Sequence, residues 1–447
     1  MNQITNRWPS EELSDGTRVI LSEGPCFGLM GATLVFGRGC ATGEGLAGAA
    51  LAAFEWVERG TRDLDRSALN AQWEQLGGRL RIQVSRSSVS VSVSGLVRNQ
   101  DRLLQLAGDV LCEPRLDRQD LRQVLTDIDA REAEALEDAD GRVSAATPWS
   151  LWAAEPNSPD THARWHTPVA GRHRDRLRLR PQHLMSALAS VLSAPVRAGI
   201  WGDEPSTAVS GVGALLERIR KEWGHDDQGA WTESPRPRWG RRVAVSSPSD
   251  QAAVCLYFEG PGAGSPDWTA FDLLVSSFGG GFRSPLVQVV RSERGLSYDA
   301  HASIQPGRSH SWAMISGAPR SSQTGLFVDA VEEAWKRHTT QFMANEQLQS
   351  VVRYLRGTDM VAQETARARL GHAMRALALG TTPLTPVERS RELLSVDSAG
   401  WGRVALSDPF VAERFTLIAA CHRGAAQRGW GARWDRRLEP LRITSLR

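Results

Sequence analysis

Gly279-Gly280-Gly281-Phe282-Arg283-Ser284-Pro285-Leu286-Val287-Gln288-Val289-Val290-Arg291-Ser292-Glu293-Arg294-Gly295-Leu296-Ser297-Tyr298 is the stretch on which the reading of this chain turns. Three glycines form a turn, a short helix follows, and an arginine and a tyrosine stand seven residues apart at its end. Tyrosine occurs only at 257, 298 and 354 in 447 residues, which argues against a chance placement of Tyr298. About 200 residues upstream a shorter glycine turn, Gly77-Gly78, follows a similar run of strands and helices. An internal repeat of that period predicts two similar domains.

The elements on either side agree. Strand-like runs at Thr17–Leu21 and Ala32–Phe36 precede an Ala-rich helix, and a second helix spans Asp65 to Leu76. Val89-Ser90-Val91-Ser92-Val93-Ser94 alternates strictly, the pattern of a strand whose sheet is covered on one side and wet on the other. Periodic apolar positions from Asn99 to Leu136, broken near Pro114, predict two helices packed on that sheet. The second half repeats the plan with strands at Arg242–Val245, Ala253–Phe258 and Trp312–Ser316 and a helix after Asp267-Trp268. The predicted class is α+β, with two homologous domains, each an antiparallel-rich sheet covered on one face by helices. Ser234-Pro235-Arg236-Pro237-Arg238-Trp239-Gly240 reads as the linker, giving domains 1–233 and 234–447.

The 279–298 segment resembles the substrate-side signature of pitrilysin-type zinc peptidases, which include insulinases and mitochondrial processing peptidases. There a glycine triplet precedes a helix ending in Leu-Arg-x-x-x-x-Leu-x-Tyr. The resemblance implies that each chain forms half of a clam-shell chamber. It also implies that Arg291 and Tyr298 reach across to a metal in the opposite half, with Gly279, Gly280, Gly281 and Phe282 contacting substrate. Negative charge develops on the carbonyl oxygen during hydrolysis, and a fixed Tyr298 O–H is suited to stabilise it. Arg291, planar and always charged, suits holding the substrate backbone or the tyrosine loop. The plainer reading is a glycine turn feeding an ordinary amphipathic helix, with Arg291 a surface charge and Tyr298 a half-buried strand residue.

The same resemblance places a zinc motif, His-x-x-Glu-His, on a helix in the first half, where residues i and i+4 share a face and hold one ion. Gly43-Glu44-Gly45-Leu46-Ala47 looks like the lead-in, but the ligand positions fall on Gly48, Leu51 and Ala52. About three extra residues precede the family-like Gly60-Thr61, so the register can slip; no slip restores the site, because the first histidine of the chain is His162. The third ligand falls near Asp127. His162 and His166 have i, i+4 spacing but are flanked by Pro159 and Pro168 and read as a loop pair. No metal is expected on this chain, and the resemblance implies zinc on a partner.

Composition narrows the rest. With 53 basic and 51 acidic residues the net charge is +2, so no overall field favours nucleic acid or an anionic membrane. Arg172–Arg180 is strongly basic but lacks interleaved aromatics and reads as a solvated edge. Trp149, Trp152 and Trp165 read as core packing ahead of a partner surface. Five scattered cysteines form neither a disulfide framework nor a zinc ribbon. Without an apolar leader, or a run near the ~20 residues that span a membrane, a soluble cytoplasmic protein is expected.

Together these features predict a zinc-less, non-catalytic subunit of a heterodimeric zinc metalloendopeptidase. It would supply Arg291 and Tyr298 to a homologous zinc-bearing partner that processes peptides or precursor peptides. The alternative is a non-enzymatic scaffold or assembly subunit of the same fold.

Overall fold

The computed structural model describes residues 8–43, 45–152, 164–226, 231, 233–281, 283–340, 345–405, 409–410, 414–422 and 439–442. In chain order the first stretch forms β1 (Ser10–Glu12), β2 (Arg18–Glu23), β3 (Leu29–Phe36), α1 (Ala49–Val57), α2 (Arg66–Gln75), β4 (Arg79–Val84), β5 (Val89–Leu96), α3 (Gln100–Cys112), α4 (Arg118–Ala135) and α5 (Ala139–Trp152). There follow α6 (His173–Arg176), α7 (Pro181–Leu192), β6 (Val196–Gly202) and α8 (Val209–Trp223). The second stretch forms β7 (Arg242–Ser246), β8 (Ala253–Pro261), α9 (Trp268–Gly279) and α10 (Pro285–Val287), which runs into a π-helical turn (Gln288–Glu293). It continues with β9 (Ala300–Gln305), β10 (His310–Gly317), α11 (Thr324–Thr340), α12 (Asn345–Ala362), α13 (Ala366–Ala378), α14 (Pro386–Ser395), α15 (Ser398–Ala405), β11 (Phe415–Cys421) and β12 (Glu439–Leu441).

Two six-stranded sheets result, in the orders β1-β2-β6-β3-β5-β4 and β12-β7-β11-β8-β10-β9. In the first only β2 and β6 run parallel; in the second β7 runs parallel to both β11 and β12. The remaining pairings are antiparallel. The five strands β2-β6-β3-β5-β4 therefore match β7-β11-β8-β10-β9 in order and direction, the duplication expected from the sequence.

The duplication revises one detail. By topology α9 matches α1 and the helix over 285–293 matches α2, so the partner of Gly77 is Gly295, not the glycine triplet. Each ends its helix in the left-handed region, at φ +60° and +59°, which glycine adopts without a Cβ penalty.

Each sheet has its own core. In the first, Val89, Val91 and Val93 of β5 are buried while the intervening serines remain partly exposed, as the alternation predicts. Helices α1, α3, α7 and α8 pack on that valine side, with Leu103, Leu106 and Val110 of α3 fully buried. In the second, Trp335 of α11 meets Phe258 and Phe278 edge-on at 5.1 and 5.0 Å, an arrangement aromatic quadrupoles favour.

The compact units do not follow one cut at 233. One comprises Met1–Ala130, Thr167–Ser234 and Met360–Pro386; the other comprises Arg131–His166, Pro235–Asp359 and Val387–Arg447. Thus α13, from the second half, packs on β6, β2 and β3 through Leu370, Ala373 and Met374, against Ile20 and Val35. Gly199 admits it, since a Cβ there would stand 2.5 Å from Leu370 Cδ1. Likewise α5, from the first half, lies on β11, β8 and β7. Each sheet so carries its main helical layer on one face and one additional helix on part of the other.

Candidate functional site

The glycine triplet is explained by close packing. A Cβ on Gly279 would come within 2.5 Å of both the Cβ and the amide nitrogen of Ala302, so the end of α9 can touch β9 only without a side chain there. Gly280 offers its carbonyl to the Tyr354 hydroxyl at 2.7 Å. Phe282 lies outside the described residues. Ser284 then caps the next helix, its Oγ accepting from Val287 N, with Pro285 in the first-turn position where its missing N–H costs nothing.

After Val287 the helix widens. Arg294 N donates to Val289 O at 3.1 Å and Leu296 N reaches back to Val290 O at 2.9 Å. Such π turns concentrate at functional sites because the inserted residue re-aims its neighbours. Arg291 lies within this turn, and its guanidinium carbon sits 4.1 Å above the centroid of the Tyr298 ring. The Arg–Tyr pair singled out in the sequence is thus joined directly, in a cation–π contact worth about 0.5–1 kcal/mol where exposed. Tyr298 itself is 80% exposed, with its ring on the surface. The preceding Ser297 is buried and pins the loop: its Oγ donates to Asp299 O at 2.5 Å and accepts from Ala318 N at 3.0 Å. Ser297 was not singled out from the sequence, although it stands next to Tyr298 in the quoted segment. The arrangement presents a phenol outward on a rigid base, backed by a fixed positive charge.

The positions left by the zinc motif do not fit a metal. Gly48 stands before α1, not on it, at φ +82°, and a Cβ there would come 2.3 Å from Ala170 O. Leu51 packs on the core and Ala52 is fully buried. Counting back from Gly60-Thr61 moves the three places onto Leu51, Phe54 and Glu55 of α1, again without a histidine. Asp127 is committed elsewhere: Arg59, 8% exposed, donates to it at 2.7 Å, and Gln123 donates to its other oxygen at 2.7 Å. Those two hydrogen bonds hold the Asp127 carboxyl below the usual carboxylate range. Among the described residues no three His, Cys, Asp or Glu side chains gather as a metal site. His166 is described but His162 is not.

One carboxyl near these positions is unusual. Burial pushes Glu58, at the end of α1, up to about 7, and the nearby charge of Glu55 adds to the rise. The basic run also differs from a solvated edge at one point. Arg176 is 4% exposed; it donates to Asp129 and to the Ala170 and Gly171 carbonyls, an internal brace. Trp152 packs between Trp165 and Trp312, at 5.7 and 5.6 Å, and Trp152 and Trp165 are buried, whereas Trp149 is half-buried beneath the Arg241 guanidinium.

Comparison with known proteins bears on the fold. Residues 207–355 match the family model for the peptidase M16 inactive domain. Among curated proteins none matches the sequence. Solved structures share the fold. The peptidase M16 inactive domain from Pseudomonas fluorescens is similar at 17% identity and a TM-score of 0.78, over 93% of this chain and 98% of that one. A protease from Helicobacter pylori is similar at 14% identity and a TM-score of 0.75, over 93% and 99%. The periplasmic protease PqqL from Escherichia coli is similar at 13% and 0.73, but the match spans 94% of this chain and only 46% of that one. The expected resemblance thus stands at the level of the matched segment and of the shared fold, and the His-x-x-Glu-His motif is absent from the sequence.

Proposed function

We propose that this protein is the non-catalytic subunit of a two-chain metalloendopeptidase, contributing Arg291 and Tyr298 to a homologous partner that carries the metal. The observation that carries the reading is the asymmetry between the two halves. The Arg–Tyr pair is stacked at 4.1 Å on a pinned loop with the phenol presented outward, while the zinc-helix positions are filled by Gly48, the half-buried Leu51 and the buried Ala52. In the complex Tyr298 O–H donates to the peptide carbonyl oxygen as negative charge develops there. Arg291 fixes the ring from below and adds positive potential. Removing such a donor typically costs about 100- to 1000-fold in rate.

The test is co-expression with a homologous chain containing His-x-x-Glu-His, followed by peptide-cleavage assays with and without chelator. Tyr298→Phe should cut turnover by about 100-fold or more while association and the metal content of the pair stay unchanged. A Tyr298→Phe pair as active as wild type would leave the chain a scaffold whose Arg–Tyr pair is merely structural.

A further inference from the structure

On the serine-bearing face of the first sheet lies a groove of about 610 Å³, within the size range of ligand sites. Its floor is Ser90, Ser92 and Ser94 of β5, one wall is Arg79 and Arg81 of the edge strand β4, and the other is α13 with Arg367 and Arg375. No aspartate or glutamate is among the lining residues. All four arginines are exposed. The single side-chain hydrogen bond any of them makes among the described residues is a long one, from Arg79 Nε to Ser94 Oγ at 3.4 Å. Four guanidinium groups with no carboxylate partner are an unusual surface in a chain whose charges nearly balance.

The fold does not require these arginines. In the second unit β9 puts His301, Ser303 and Gln305 on the corresponding face, and no arginine.

The spacing selects the ligand. Arg79 and Arg81 lie opposite Ser94 and Ser92 in register, and side chains two apart on a strand repeat every ~6.5–7 Å. An extended peptide has the same repeat, so carboxylates on its alternate residues meet successive guanidinium groups, each of which can donate a bidentate fork to one carboxylate. A small oxyanion spans only one such step. The serine hydroxyls between the walls offer donors and acceptors to the peptide backbone.

We propose that this groove binds an extended acidic peptide bearing carboxylates at alternate positions. That the occupant is a peptide rests on the function proposed above; the binding itself needs neither the partner nor turnover.

The test uses the full-length chain alone and fluorescence anisotropy. The probes are labelled (Ala-Glu)4, an isomer with its glutamates in adjacent pairs, and (Ala-Gln)4, with inorganic phosphate as competitor. The alternating peptide should bind at least about tenfold more tightly than the paired isomer, a difference near 1.4 kcal/mol, and the neutral peptide should bind least. Arg79→Glu/Arg81→Glu, and independently Arg367→Glu from the other wall, should each weaken binding about tenfold or more, with melting temperatures unchanged at these exposed positions. Equal binding of the three peptides, no binding, or unaltered binding by both variants would overturn the proposal. So would displacement by millimolar phosphate together with indifference to glutamate spacing, which would mark a small-oxyanion site. Loss of the Tyr298→Phe effect on turnover bears only on the paired-subunit reading, so the two failures are separable.

Discussion

At the scale of single residues, positions are decided by room and by charge. Gly279→Ala inserts a methyl into a 2.5 Å gap bounded by the Ala302 backbone; overpacking of this kind costs about 1–3 kcal/mol. Denaturant unfolding should show that loss, and an unchanged midpoint would mean that α9 shifts freely from β9. Glu58 makes a pH prediction. Its carboxyl titrates near 7 in the folded chain against 4.5 for the ordinary group, because burial disfavours the charged form. The stability that this neutral form contributes is fully present below about 4.5 and is lost as pH rises towards about 7. Relative to Glu58→Gln, the wild-type melting temperature should therefore fall across that window, and parallel profiles for the two proteins would refute the assignment. The sequence gives no hint of this shift, nor of the Arg59–Asp127 pair, whose members stand 68 residues apart. Partners so distant are brought together only by packing. The Arg291–Tyr298 pair was legible because its members lie on one short segment.

Among the elements, regular patterns were legible and hydrogen-bond slips were not. The Val–Ser alternation gave β5 its face, and the apolar periodicity with Pro114 gave α3 and α4 nearly at their observed bounds. The π turn at Gln288–Glu293 has no compositional signature, since widening a helix changes which carbonyl is used and not which residues are present. Nor does an amphipathic helix announce which sheet it covers, and so the placements of α5 and α13 emerged only from the structure. For α13, Leu370 is 1% exposed, and Leu370→Ala should cost about 2–5 kcal/mol, as for other buried leucines. A change below about 0.5 kcal/mol, the ordinary range for surface positions, would mean that this helix adds little to the first unit.

For the whole molecule, the discontinuous units bear on how the chain can be divided. A fragment of residues 1–233 lacks Met360–Pro386 and would expose Ile20 and Val35, now beneath α13. It should be recovered largely as aggregate, and adding residues 360–386 in trans should improve its solubility; a soluble, cooperatively melting 1–233 fragment would contradict this. Stability of the intact chain should not depend on zinc. Chelator is expected to leave its melting temperature unchanged, and a chelator-induced drop would reveal a bound ion. The backbone at Gly48 sharpens that expectation. With the Ala170 carbonyl 2.3 Å from where any Cβ would go, a histidine codon introduced there would meet main chain before it met a metal. Building a metal ligand by that route would require rebuilding the loop around residues 170–171, so at that position a metal site is opposed by the backbone as well as by the side chains.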